Sequence, residues 1–158
     1  MSSKSNTDND FYRILEKARK YCAFQERCHQ ELREKLYSWL LPEKSVEQII
    51  SELISEGFVS EERFAKAFSR GKFRIKRWGK NKITNELKRR NISEYSIRKG
   101  LKEIDDKEYN EVLKNLILKK SKEVTDKNPY TRNSKIANYA ASRGFEPELV
   151  WDLLKNEF

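Results

Sequence analysis

The sequence predicts an all-α protein built from a repeated helix pair, and three observations carry that reading. Apolar residues recur at intervals of three and four almost throughout, with no strand-like alternation. Only five Gly and three Pro occur in 158 residues, which leaves little material for β-turns, while the good helix formers Glu, Lys, Leu and Arg abound. Finally, five apolar positions align without gaps in three copies, at offsets of 51 and then 53 residues, the mark of an internal repeat.

The aligned positions are Leu32, Ile83 and Ile136; Leu36, Leu87 and Ala140; Leu41, Ile92 and Phe145; Val46, Ile97 and Val150; and Ile50, Leu101 and Leu154. In each copy the first two lie four apart on one helix, the third falls in a turn, and the last two lie four apart on the next helix. A longer leading helix precedes each pair, over about 11–23, 61–78 and 106–124. The polar segment 1–10 reads as a disordered tail, followed by three-helix units over 11–58, 59–104 and 105–158.

Local signals mark the ends. Ser45 with Gln48 reads as a capping box, and Asp105 with Glu108 as a looser one. Ser60 precedes Glu61 and Glu62, acids that suit the positive end of a helix. Gly57, Gly79 and Gly144 stand where helices should stop, and Pro147 fits the first turn of the last one.

Charge is distributed unevenly. The chain carries 34 basic and 25 acidic side chains, a net of +9, and 37% of its residues are charged. Ser69 to Asn91 alone holds ten Lys or Arg and one acid, Glu86, so the rest of the chain is neutral. On a helix, Arg63, Lys66, Arg70, Arg74 and Arg77 form one basic stripe beside an apolar stripe of Phe64, Phe68, Ile75 and Trp78. Phe73 falls opposite Phe64, on a face the core is not expected to use, and is therefore read as an exposed aromatic anchor for a partner. Lys80, Lys82, Lys88, Arg89 and Arg90 extend the patch onto the following helix. Like charges a turn apart repel by a few tenths of a kcal/mol per pair, and Gly71 inside the helix costs about 1 kcal/mol against Ala. A polyanionic partner that releases counterions on binding would offset both.

Other chemistries find little support. Cys22, Cys28 and His29 match neither a zinc spacing nor a disulfide framework, and a Cys–His nucleophile would lack an orienting third group. There is no glycine-rich phosphate loop. No catalytic, cofactor or metal residues are assigned, and the expectation is a non-enzyme. No apolar run approaches the roughly 20 residues that cross a bilayer. The reduced cysteines and the polar N-terminus point to a cytoplasmic protein.

The segments QELREKLYSWL, VEQIISELISEGFVSEERFAKAFSRGKFRIKRWGKNKITNELKRRNI and IANYAASRGFEPELVWDLL resemble the bacterial recombination regulator family RecX, over about Phe11 to Leu154. GFVSEERFAKAF, followed by a basic helix and the Trp78–Gly79 step, is the most specific part. The resemblance implies three tandem three-helix, helix-turn-helix-like modules in an elongated, curved body, right-handed or crescent-shaped. It implies a monomer whose partner is the RecA recombinase filament on single-stranded DNA, with inhibition of its ATPase and strand exchange, and direct binding to single-stranded and possibly double-stranded DNA. By position it places the basic module on Arg70, Lys72, Arg74, Lys76, Arg77, Lys80, Lys82, Lys88, Arg89 and Arg90. Two departures stand out: Cys28 replaces a hydroxyl at a helix start, which should weaken that cap, and Lys80 replaces a proline, which should loosen the turn. The alternative is a stand-alone, sequence-tolerant DNA-binding helical module. Against it, Glu94, Glu103 and Asp105 around the second helix of the middle pair would repel phosphate.

Overall fold

Nine α-helices connected by short turns make up the described part of the chain, a computed structural model covering the backbone of residues 2–157 and side chains from residue 8. They are α1 (Ser2–Phe24), α2 (His29–Ser38), α3 (Glu43–Ser55), α4 (Glu61–Lys76), α5 (Lys80–Arg89), α6 (Glu94–Leu101), α7 (Asp106–Glu123), α8 (Pro129–Ser142) and α9 (Pro147–Glu157). The principal helix contacts fall within the triples α1–α3, α4–α6 and α7–α9. The accessible surface is 10336 Å², well above the roughly 8,300 Å² of a compact monomer of this mass. The chain is drawn out rather than rounded.

The repeat positions do what their alignment requires. All are buried except Leu41 and Leu101, which are partly covered at the margins of their units. In the first triple, Leu15, Ala18 and Cys22 of α1 face Leu32, Leu36, Val46, Ile50 and Leu53 in a separate core. The second and third triples share one continuous core, from Phe64 and Ile83 through Tyr109 to Ile136, Phe145 and Leu154.

Several local expectations are corrected. Helix α1 is assigned from Ser2, inside the segment 1–10 read as a tail, and Asp10 pairs with Arg13 one turn on. Helix α3 starts before Ser45, with Pro42 at the N-cap, because proline already holds the backbone angle a helix entry needs. Ser60 and Asp105 cap as expected, accepting from the amides of Arg63 and Glu108. Cys28 also caps, its sulfur accepting from the Glu31 amide at 3.5 Å while the Glu31 carboxylate accepts from Cys28 N–H.

Gly79 does not end a helix. Arg77 takes the left-handed position, at φ 58°, and Gly79 precedes α5 with an ordinary φ of −75°. Its hydrogen side chain serves contact instead. A Cβ there would lie 2.3 Å from the carbonyl atoms of Gly144, and one on Gly144 would lie 2.3 Å from Cβ of Lys82. Gly79 N–H donates to Arg143 O at 2.8 Å and Asn81 N–H to Gly144 O at 2.9 Å, so the α4–α5 and α8–α9 turns are stitched backbone to backbone.

Tyr109 closes the same joint. It is 2% exposed, packs between Phe73 and Phe145, donates its hydroxyl proton to Glu146 and accepts from Lys80 N–H at 3.0 Å. Proline at position 80 would lack that donor, so Lys80 ties the turn instead of loosening it. Its ammonium also reaches Asp106 at 3.3 Å. By contrast, the joint between the first and second triples is largely polar: Arg63 pairs with Glu26, and Arg90 with Glu31 at 3.6 Å.

Inside the middle triple, α6 crosses α4 on small residues. A Cβ on Gly100 would sit 2.6 Å from Ala65 O and 2.8 Å from Ser69 Oγ, whereas one on Gly71 would meet nothing within 4 Å. Gly100→Ala is therefore expected to destabilise by about 1–3 kcal/mol through forced separation of the helices. Gly71→Ala should stabilise by up to about 1 kcal/mol, both read from urea unfolding. Tyr109→Phe strands the Lys80 amide and the Glu146 carboxylate, an expected loss of about 1–3 kcal/mol. Burial, then the bond to Glu146, hold the Tyr109 phenol far above its ordinary value of 10.0. The folded state thus keeps a proton that the unfolded chain loses first, and wild-type stability should fall as pH rises past that value. The Phe variant should show a flatter fall in the same range.

Candidate functional site

The cationic side chains assigned from sequence divide into two groups. Arg63, Lys66, Arg70, Lys80, Arg89 and Arg90 are ion-paired within the chain, to Glu26, Glu62, Glu103, Asp106 and, for both Arg89 and Arg90, Glu86. Exposed pairs of this kind contribute at most about 1 kcal/mol each, but they lower the charge presented outward. Lys72, Arg74, Lys76, Arg77, Lys82 and Lys88 have no acid within salt-bridge reach among the described residues. The regular stripe expected from Arg63 to Arg77 is thus broken, and the outward charge gathers at the C-terminal end of α4 and on α5.

An aromatic scaffold holds part of this charge. The ammonium of Lys72 lies 5.0 Å and that of Lys82 4.6 Å from the Trp78 ring centre. Phe68 packs edge-on against Trp78 at 6.5 Å and carries the Arg90 guanidinium at 4.9 Å. Each such contact is worth about 0.5–1 kcal/mol at an exposed site, enough to favour a shared orientation of neighbouring cations. In the sequence Trp78 was legible as part of an apolar stripe and of the Trp78–Gly79 step, but not as a ring shared by Lys72 and Lys82, which the turn between α4 and α5 brings together.

Two assignments are overturned. Phe73 is not an exposed anchor but 2% exposed, its ring 5.7 Å from that of Tyr109. It does lie opposite Phe64, yet the third triple covers that face, so α4 is buried on two sides. Ile75 leaves the apolar stripe and is 79% exposed. The thiols of Cys22 and Cys28 are pushed up by burial, which disfavours the reactive thiolate. Among the described residues no cluster of potential metal ligands forms, and no helix is long and apolar enough to cross a membrane.

Fold and site together define a tandem array of three-helix units with a cationic centre. Two family models match it: that of the second three-helix domain of RecX over residues 60–101, and that of the third over 106–154, together more than half of the chain. The chain belongs to the RecX family of regulatory proteins. It is 25% identical over 147 residues to the regulatory protein RecX of Prosthecochloris aestuarii, covering 91% of this chain and 93% of that one. Two solved structures share its fold. A crystal structure of regulatory protein RecX superposes with a TM-score of 0.84 at 21% identity, over 98% of this chain and 77% of that one. RecX from Lactobacillus salivarius gives 0.82 at 20% identity, over 94% and 96%.

Phe73→Ala is expected to cost about 3–5 kcal/mol of folding stability, the loss typical of a large core aromatic, measured by urea unfolding. A surface anchor would show wild-type stability.

Proposed function

We propose that this RecX-family protein binds the RecA recombinase filament on single-stranded DNA and inhibits its ATPase and strand-exchange activities, acting as a cytoplasmic monomer. The observation that carries the reading is the group of six basic side chains without acid partners among the described residues, Lys72, Arg74, Lys76, Arg77, Lys82 and Lys88, on a member of a family of regulators. A filament of protein and DNA offers regularly spaced negative charge, and cations left unneutralised by their own chain gain counterion-release free energy on meeting it. The tandem of three-helix units can lie against successive filament subunits and hold them in one spacing. Inhibition follows if that spacing disfavours the conformations of ATP turnover and DNA pairing.

The alternative, a helix-turn-helix module reading duplex DNA alone, fits the packing less well. Helix α6 would be the recognition helix, but Ile97 and Gly100 are buried and Gly100 lies against the α4 backbone. The exposed face of α6 begins with Glu94, which phosphate would repel.

The test is RecA-catalysed ATP hydrolysis on single-stranded DNA, titrated with this protein. A steep fall at substoichiometric amounts is expected. The triple variant R74E/K76E/K88E should need at least about tenfold more protein for the same inhibition, with unchanged helicity. The control pair K44E/K107E, on other helices, should inhibit as wild type does. Full inhibition by the folded triple variant would rule out this surface, and salt-sensitive DNA binding with no effect on hydrolysis would favour the stand-alone module.

A further inference from the structure

The stitched joint between the second and third triples leaves a cleft of about 390 Å³ flanked by the end of α4 and by α7 and α8. Four cations line it, and three of them, Arg77 at the C-cap of α4, Lys119 on α7 and Arg143 at the C-cap of α8, have no acid partner among the described residues. The one acid in the lining, Glu123, is engaged by Lys120 at 3.4 Å, and that ammonium sits 4.5 Å over the Tyr139 ring. Arg143 is held in place by a bond from Nη2 to Lys76 O at 2.9 Å, yet its Nε is buried with no acceptor. A buried cationic donor without an acceptor is costly to maintain, and the residue that carries it lines the cleft.

From this the geometry points to a seat for the sugar–phosphate backbone of single-stranded nucleic acid, with one base against Tyr139. Arg77, Lys119 and Arg143 supply donors to phosphate oxygens. Leu116 and the part of the Tyr139 ring that Lys120 leaves uncovered offer the apolar surface that an unstacked base covers. Arg143 bonds the carbonyl of Lys76, so the cleft continues the unpaired cations Arg74, Lys76 and Arg77 of α4. A strand with a charge at every residue matches such a succession of cations, and about 390 Å³ is room on the scale of one nucleotide. This deepens the filament reading by assigning the DNA strand, as distinct from the recombinase, its own contact on the third unit.

The test uses the full chain without recombinase: fluorescence anisotropy with labelled oligo-dT of about 20 nucleotides, more than covering the usual site sizes. Lys119→Glu should weaken binding about tenfold at low salt and lower the slope of log K against log salt by about 0.7, the share of one phosphate contact on a single strand. Lys44→Glu, the same charge change on the first unit, should leave both nearly unchanged. With 5-iodouracil in the strand, photocrosslinking should map to the peptide that contains Tyr139. Equal losses in the two variants, crosslinks confined to other peptides, or no binding by the wild type would each overturn the seat. Poly-glutamate binding that Lys119→Glu abolishes while oligo-dT binding persists would reassign the cleft to an acidic protein segment. Since no recombinase is present, a chain that still inhibits ATP hydrolysis but fails here loses the seat and keeps the filament reading.

Discussion

The arrangement of the basic surface depends on the backbone contact between Gly79 and Gly144. Two turns from different three-helix units approach until their peptide groups bond directly, and no side chain larger than hydrogen fits either position. Around this contact the apolar core passes uninterrupted from the second unit into the third, through Phe73, Tyr109 and Phe145. Sliding one unit against the other would break backbone hydrogen bonds and open packed aromatic surface at once. The end of α4 and the start of α5, which hold most of the unpaired cations, are therefore fixed relative to α7 and α8.

That rigidity gives the charge distribution its meaning. Basic residues in the last turn of a helix are ordinarily explained by the negative end of its dipole, and Arg74 and Lys76 satisfy that rule for α4. Dipole compensation needs one or two cations, however. It does not account for Lys82 in the first turn of the next helix, or for two lysines sharing the Trp78 ring. Where the chain needs cations structurally, as at Arg63 and Arg90 across the first joint, it supplies acids for them. The contrast separates basic residues that hold the units together from those directed outward.

Much of the fold was legible because its determinants are local or periodic. Three copies of one apolar pattern located the helix pairs, and Ser60, Asp105 and Pro147 marked helix starts by capping chemistry that acts within a few residues. Apart from the start of α3 at Pro42, what escaped detection depends mostly on contacts between units. Phe73 could be placed opposite Phe64 from periodicity, but nothing in the α4 sequence says that a second layer covers that face. Gly79 looks like any helix stop until its neighbour Gly144, far along the chain, is brought against it. At the site, the linear run of cations does not say which of them find acids: Arg70 meets Glu103, whereas Lys72 meets only aromatic rings.

The two joints also differ in how they respond to solution conditions. Ion pairs such as Arg63–Glu26 and Arg90–Glu31 weaken as salt screens them, whereas the Gly79–Gly144 stitch rests mainly on backbone hydrogen bonds and packed aromatic surface. Added salt should therefore loosen the first unit against the second before it disturbs the second against the third. Salt also weakens any contact with phosphate, so the condition that releases an anionic partner is the one that frees the first unit to reorient. Binding and the geometry of the tandem are in this way coupled through the same electrostatics, with the distal pair of units as the fixed frame.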